Sequence, residues 1–575
     1  MSAERIVKFL VLLEYWRVRI IVEHDLEIPV RDGVLLSADL YRPDTSVPVP
    51  VLIRRTPYGK SGNPGGASVD GLRLVRAGYA LLVQDVRGRF GSGGRFEPYW
   101  REAEDGADTV AWAAGQSWCD GSAGLFGRSY EGMAALLAAA ESPPGLGAVA
   151  PQVAGSGFDE GWTYQGGAFQ LGFILYWVLY DLLLTGAGLD PAVEREVAEA
   201  VDRIDELYRD PARATGLLDR LAPYYPEWRG TATGDAYWRR SAPRESYSAI
   251  KAPTLNITGW YDIFLSGALE NFRGIRAEGG TAHLVVGPWS HCVTDGIFPQ
   301  RRYGIAADEQ HVDVTGLHLA HFDRHLRPNP AASDGPPVRL FLTGADQWCG
   351  FPDWPVPGTE PYVLHLAGRT LTEAAPGAPG RDVIRHDPAD PVPTTGGATA
   401  LPGQYVGGDC GPLDQREVER RPDVRCFTTP RLADPLTVIG EIELTVFVTP
   451  DAAGADVTAK LVDVAPDGRA EILCDGVRRL EPRAERTEAR ADEPAARAST
   501  APGEDRAPAH GPAVEVTVRL GAVGHVFRRD HRVRLEIAGS NAPRFDVHPR
   551  VVAHHTVHHG GDHPSRLLLP RLIDG

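Results

Sequence analysis

A mainly parallel sheet wrapped in helices, followed by a separate all-β unit, is the architecture that the 575-residue sequence predicts. Three observations predict it. Short apolar runs alternate with helical patterns from Val49 to Val286, and such alternation needs crossover connections and a sheet covered on both faces. The Pro-rich stretch Pro328–Pro337 then ends the alternation. Beyond it come short β-type runs separated by Gly/Pro turns, such as Val338–Thr343, Glu441–Val448, Val514–Leu520 and Val533–Ile537.

The elements follow in chain order. Ile6–Val22 is apolar, but Lys8, Glu14, Arg17 and Arg19 interrupt it, and Phe9–Leu13 is too short for a signal-peptide core. No stretch reaches the ~18 apolar residues of a membrane span. No membrane partner is expected, and a cytoplasmic location is the default. His24–Val30 and Val34–Tyr41 flank Arg31-Asp32-Gly33, a common reversal between antiparallel strands. Val49–Ile53 and Tyr79–Gln84 read as strands, Glu102–Ala114 as a helix, Gly124–Phe126 as a strand and Tyr130–Ala140 as a small-residue helix. Gly145–Val153, Thr254–Thr258 and His283–Val286 read as further buried strands.

Between Gly155 and Ser246 the pattern changes. Aromatics crowd in (Trp162, Tyr164, Phe169, Phe173, Tyr176, Trp177, Tyr180), and the amphipathic stretch Pro191–Leu207 follows. This reads as a helical insertion that caps a ligand crevice. The expected division is therefore 1–154 and 247–330 as the two parts of the α/β domain, 155–246 as the helical cap and 331–575 as a jelly-roll-like β-sandwich. Within the last, Ala484–Pro512 is rich in Ala, Glu, Arg and Pro and reads as a solvated loop.

Hydrophobic residues make up 43% and charged residues 23%, an ordinary globular composition that excludes wholesale disorder and a disulfide miniprotein. The balance of 59 basic against 76 acidic residues repels phosphate backbones, so nucleic acid is not an expected partner. The six cysteines form no C-x-x-C pair and read as buried free thiols. The C-terminal histidines (His548, His554, His555, His558, His559, His563) lack a metal-site spacing. No metal and no cofactor are expected. A homo-oligomer is compatible with the sequence.

The chemistry concentrates in Gly124-Leu-Phe-Gly127-Arg128-Ser129-Tyr130-Glu131-Gly132. A strand, a tight turn bearing serine, then a helix is the setting of a nucleophile elbow. The helix start supplies backbone N–H groups and a positive dipole end for a developing oxyanion. The match is imperfect, because Glu131 stands where a second glycine belongs and Gly132 follows one residue later. Ser92 and Ser156, also flanked by glycine, lack the strand-to-helix context. A serine nucleophile needs a base and the base an orienting carboxylate. Asp262 lies just past the strand that begins at Leu255, and His291 just past the one at Leu284. The order Ser129, Asp262, His291 is that of an α/β-hydrolase. Asp85-Val-Arg-Gly-Arg89 reads as an ion-paired turn at a strand end.

Gly127-Arg-Ser-Tyr-Glu-Gly132 resembles the G-x-S-Y-x-G elbow of the cocaine-esterase and Xaa-Pro dipeptidyl-peptidase family of serine hydrolases (CocE/NonD-like), and that pattern explains the displaced glycine. Supporting blocks are Arg55-Thr-Pro-Tyr58-Gly-Lys60, Asp85-Val-Arg-Gly-Arg89, Gly259-Trp-Tyr-Asp262, Gly287-Pro-Trp-Ser-His291 and Pro543-Arg-Phe-Asp546, so the resemblance runs from about residue 24 to about residue 570. It implies an α/β-hydrolase fold with a helical cap insertion and a C-terminal β-sandwich, and Ser129, Asp262 and His291 as catalytic residues. It also implies that the Tyr58 hydroxyl and the Tyr130 backbone N–H hold the oxyanion, a role for Tyr58 that spacing alone does not give.

The expected function is a serine carboxylesterase acting through an acyl-enzyme on small-molecule esters of neutral acyl groups, aromatic ones included. Family members that take amino-acid esters hold the substrate ammonium with carboxylates just after the catalytic aspartate. Here Ile263, Phe264 and Leu265 follow Asp262, and an ammonium there would be desolvated without a partner. The large N-terminal helical domain of the dipeptidyl peptidases is also not expected before strands that start near Val22. Phe264, Trp162 and Phe169 are the candidate substrate-binding side chains, with core packing as their alternative. An amidase or acylase, an α-amino-acid ester hydrolase or an Xaa-Pro dipeptidyl-peptidase using the same triad is the alternative enzyme reading. A β-sandwich binding protein with an inert hydrolase part is the non-enzymatic one.

Overall fold

The computed structural model describes residues 18–186, 189–327, 335–402, 410–480 and 512–573. Most of Ile6–Val22 and all of Ala484–Pro512 except Pro512 lie outside the described residues. Apart from two small two-stranded ribbons, the strands of the first part are β1 (Ile20–Pro29), β2 (Leu35–Pro43), β3 (Val49–Thr56), β4 (Ala80–Asp85), β5 (Cys119–Arg128), β6 (Leu146–Gln152), β7 (Thr254–Tyr261), β8 (Ala282–Ser290), β9 (Val338–Leu342) and β10 (Gln347–Phe351). They form one sheet in the order β1-β2-β4-β3-β5-β6-β7-β8-β9-β10.

The N-terminal hairpin pairs antiparallel as the Asp-Gly reversal predicts. From β4 through β9 every neighbouring pair is parallel. Helices Glu102–Ala114 and Tyr130–Ala140 pack on this sheet through alanines and glycine, which lets them approach each other closely. β4 and β7 are buried along their whole length, as a sheet covered on both faces requires.

One strand departs from expectation. Val338–Leu342, read from sequence as the first strand of the sandwich, pairs parallel with β8, Leu284 opposite Val338, and extends the first sheet. Helix Val314–Leu326 is thus followed by another parallel strand of the first sheet. A five-residue apolar run carries no period that separates the two assignments.

Residues between β6 and β7 form helices Leu171–Tyr176, Pro191–Asp202, Ile204–Arg209, Thr215–Leu221 and Tyr224–Gly230. Asp190 caps Pro191–Asp202 by accepting from the Ala192 N–H, with proline at the first helical position. Trp162, Phe158, Phe173, Trp177 and Trp228 share one continuous hydrophobic core with Tyr99 and Tyr130 of the α/β domain.

The C-terminal part is all-β, eleven strands in one sheet system whose longest pair, Leu436–Thr449 with Val514–Phe527, is antiparallel. Its core is separate and includes Val438, Leu444, Val446, Val518, Leu535 and Leu567. It docks on the inserted helices through the Pro543–Asp546 block. Phe169 and Asp546 exchange two hydrogen bonds of 3.0 Å, Phe169 N–H to the Asp546 carboxylate and Asp546 N–H to the Phe169 carbonyl. Arg479 pairs with Asp456 at 2.7 Å and with Asp546 at 2.9 Å. Asp546→Ala is expected to destabilise the protein by about 2–3 kcal/mol, near the low end for breaking a largely buried pair, measured as a lower urea midpoint; an unchanged midpoint would remove this clasp from the account.

Candidate active site

β5 delivers the chain into a turn whose apex is Ser129, at φ 59° and ψ −121°, and helix Tyr130–Ala140 starts on the next residue. A left-handed φ at a non-glycine residue is strained and survives only where the surroundings over-determine it. Here they do. The Ser129 N–H donates to the Gln152 carbonyl of β6 at 2.8 Å, and the Ser129 carbonyl accepts from Met133 N–H at 3.1 Å. The displaced glycine also has its reason. A Cβ on Gly132 would lie 2.8 Å from the Gly127 carbonyl and 3.0 Å from that of Gln152, so position 132 is the one pressed against the sheet. Position 131 points elsewhere. Its carboxylate forms a buried two-pronged pair with Arg54, at 2.6 and 2.9 Å.

Asp262 follows β7. One carboxylate oxygen accepts the Phe264 N–H at 2.7 Å, and the other faces His291 Nδ1 at 2.8 Å. With Nδ1–H committed to a carboxylate, Nε2 is the acceptor nitrogen, and it lies 3.0 Å from Ser129 Oγ. Asp262 is fully buried, while the His291 side chain is 12% exposed, so a substrate can reach the base but water cannot reach its orienting group. The Arg128 guanidinium donates to the His291 carbonyl and, at 3.1 Å, to Ser68 Oγ, which ties the loop bearing the histidine to the elbow bearing the serine.

The Tyr58 and Tyr130 rings stand edge-on to each other, with centroids 6.4 Å apart. The Tyr130 ring is buried, its hydroxyl donating to Glu102 at 2.9 Å and accepting from Tyr99 N–H at 3.2 Å. That leaves its backbone N–H, at the first position of the helix, with no intrahelical acceptor. The half-buried Tyr58 accepts at its hydroxyl from the Trp177 indole N–H, 3.1 Å away.

All three candidate substrate-binding aromatics are buried in the hydrophobic core, and two of them stand behind the triad. Phe264 stands edge-on to His291 with centroids 5.2 Å apart, and Trp162 stacks on Phe264 at 3.9 Å. Phe169 instead packs on Tyr164 and Tyr225 at the junction with the C-terminal domain. Two participants escaped sequence reasoning. Trp177, noted only as one aromatic among many, orients Tyr58. Arg54, a charge inside the apolar run Val51-Leu-Ile-Arg-Arg, signals the buried partner Glu131.

The Asp85–Arg89 turn is ion-paired only in part. Arg87 pairs with Asp105 and Asp32, at 2.7 and 2.9 Å, but Arg89 makes no ion pair among the described residues. Among the described residues no cluster of His, Cys, Asp and Glu can hold a metal ion, and no helix is long and apolar enough to cross a membrane. His554 and His558 lie on a strand, Ala553–His559. All six cysteines are free, but Cys292, Cys349 and Cys426 are half-buried rather than buried.

A parallel sheet with a strained serine elbow after its fifth strand, and an imidazole and a carboxylate at the ends of later strands, defines a hydrolase of the α/β-hydrolase fold. The chain belongs to the X-Pro dipeptidyl-peptidase S15 family: that family's model matches residues 32–293, and its C-terminal non-catalytic domain matches residues 330–568. The chain is 36% identical to the cocaine esterase of Rhodococcus sp. strain MB1 Bresler, over 96% of this chain and 98% of that one. Two solved structures share its fold. An α-amino acid ester hydrolase superposes with a TM-score of 0.77 at 24% identity, covering 96% of each chain. A CocE/NonD family hydrolase from Staphylococcus aureus superposes with a TM-score of 0.69 at 18% identity, covering 96% of this chain and 94% of that one.

Two predictions follow from the local chemistry. Glu131→Ala strands a buried guanidinium and should lower stability by about 3–5 kcal/mol in urea titration, far beyond a surface substitution. Burial pushes the Cys292 thiol up to about 12, so at pH 8 it is protonated and non-nucleophilic. Iodoacetamide at that pH should leave activity intact; rapid inactivation with Cys292 alkylated would show the thiol to be ionised.

Proposed function

We propose that the chain hydrolyses carboxylic esters of neutral acyl groups through an acyl-enzyme on Ser129. The observation that carries this reading is the continuous path from Asp262 through His291 to Ser129 Oγ, two hydrogen bonds of 2.8 and 3.0 Å. In the first half-reaction His291 Nε2 takes the Ser129 proton as Oγ attacks the ester carbonyl. Asp262 holds the tautomer and stabilises the imidazolium that forms. The Tyr130 N–H and the Tyr58 hydroxyl hold the oxyanion, and the alcohol leaves with the proton from His291. Water then repeats the sequence on the acyl-enzyme and releases the acid.

The acyl side points to an apolar, planar group. Phe264 and Trp162 are buried behind His291 and support its ring from within the core, and the residues after Asp262 offer no carboxylate for an ammonium. The likeness to a cocaine esterase supports ester rather than amide substrates. We assign the 155–246 stretch the part of a cap over this crevice and the residues beyond β10 that of a wall at its side.

A fluorophosphonate probe should label Ser129 stoichiometrically, and Ser129→Ala should lower turnover at least roughly 10⁴-fold with the fold intact. Tyr58→Phe should cost on the order of 10²-fold in kcat, as loss of one oxyanion donor does. In a panel of benzoyl esters, aminoacyl esters and Xaa-Pro amides, the benzoyl esters should turn over best. Near-wild-type activity of Ser129→Ala would sink the mechanism, and a preference for aminoacyl esters or Xaa-Pro amides would sink the substrate assignment alone.

A further inference from the structure

Arg89 is a buried cation for which the mechanism above has no use. It is only 6% exposed. Its neighbours in the fold, Arg54, Arg55 and Arg87, meet Glu131, Glu102 and Asp105, whereas Arg89 has no ion pair among the described residues. Its guanidinium spends its donors on main chain instead. Nε donates to the Pro57 carbonyl at 2.9 Å and Nη1 to the Leu182 carbonyl at 2.8 Å. Nη2 is buried without a hydrogen-bond partner and fits against Gly186, where a Cβ would fall 1.7 Å from it. The Phe96 ring lies 4.7 Å below the guanidinium carbon.

Both acceptors lead to the same side chain. Pro57 immediately precedes Tyr58. Leu182 lies in Trp177–Leu184, a turn wound as a π-helix, and the first residue of that turn sends its indole N–H to the Tyr58 hydroxyl. π-helical turns are rare, cluster at functional sites and leave carbonyls near their ends without intrahelical donors. Arg89 supplies one such donor. One planar group therefore joins the backbone that carries Tyr58 to the segment that aims its hydroxyl. Because indole can only donate, Tyr58 is the acceptor in that bond and its own proton is turned away from Trp177. Burial pulls the Arg89 pKa below the ordinary arginine range.

We infer that Arg89 is a positioning residue that holds the Tyr58 hydroxyl in place as an oxyanion donor by tying Pro57 to the Trp177–Leu184 turn. The inference rests on the acyl-enzyme reading and adds to it a part played without touching substrate.

A double-mutant cycle on the full chain tests it, with hydrolysis of a benzoyl ester as the readout. Arg89→Met is expected to lower kcat roughly tenfold, a fraction of what the whole oxyanion donor contributes, with KM changed by less than about twofold. In the Tyr58→Phe background the same substitution is expected to change kcat by less than about twofold, since the group it positions is already gone. An equal loss in both backgrounds would mean that Arg89 acts on the fold and not on Tyr58, and would overturn the inference. So would an unchanged kcat for Arg89→Met. If Arg89→Met does not fold, Gly186→Ala, whose methyl displaces the guanidinium while keeping its charge, enters the cycle in its place with the same expectations. Tyr58→Phe alone separates the two levels: without an effect of its own it removes Tyr58 from the oxyanion site, and the inference falls with it.

Discussion

The backbone of Ser129 sits at a φ of 59°, and the rest of the site is arranged around keeping it there. In that conformation the hydroxyl stands at the end of a central strand, and the N–H of the next residue faces the same side. Two backbone hydrogen bonds and close packing together prevent relaxation. Gly132 lies flat against the carbonyls of Gly127 and Gln152, and any larger residue there would lever the helix off the sheet. The strain is borne by a small, closely packed region, which is where packed cores are least deformable.

Around this elbow the protein buries charge, and except at Arg89 it does so in pairs. Arg54 meets Glu131, and Arg55 meets Glu102, which also takes the Tyr130 hydroxyl. Such pairs contribute little net stability against well-packed apolar residues, because desolvation offsets their attraction. Their geometric demand is high, since a two-pronged guanidinium–carboxylate contact fixes both partners in plane and direction. Strand β3 brings Arg54 and Arg55, and the helix after Ser129 brings Glu131. The pairs thus set the distance between the Tyr58 loop that follows β3 and the elbow that follows β5. The Tyr58 loop and the serine elbow are held at a fixed span by buried ion pairs.

Much of this was legible in the sequence because it rests on local order. The alternation of strands and helices, the hairpin at Asp32-Gly33 and the serine between a strand and a helix are each written within a dozen residues. The convergence of Ser129, Asp262 and His291 was legible because strand ends of a parallel sheet share one edge. What the sequence hides is the pairing of distant segments. Val338–Leu342 joins the first sheet because β8 offers an open edge, a fact absent from its five residues. Phe169 and Trp162 look alike in an aromatic-rich stretch, yet one turns to the C-terminal domain and the other to Phe264. Arg89 and Arg87 are two residues apart in one turn, yet only Arg87 finds carboxylates.

Trp177 shows why these hidden contacts matter to function. Its ring stacks on Phe173 at 5.8 Å, and Phe173 meets Phe264 edge-on at 5.6 Å, so it belongs to the aromatic wall beside His291. Its indole N–H meanwhile donates to the Tyr58 hydroxyl. All three rings are buried, so a shift of any one of them is passed through close packing to the Trp177–Tyr58 hydrogen bond. The direction of the Tyr58 hydroxyl is thus set by the core of the inserted segment, far along the chain from residue 58.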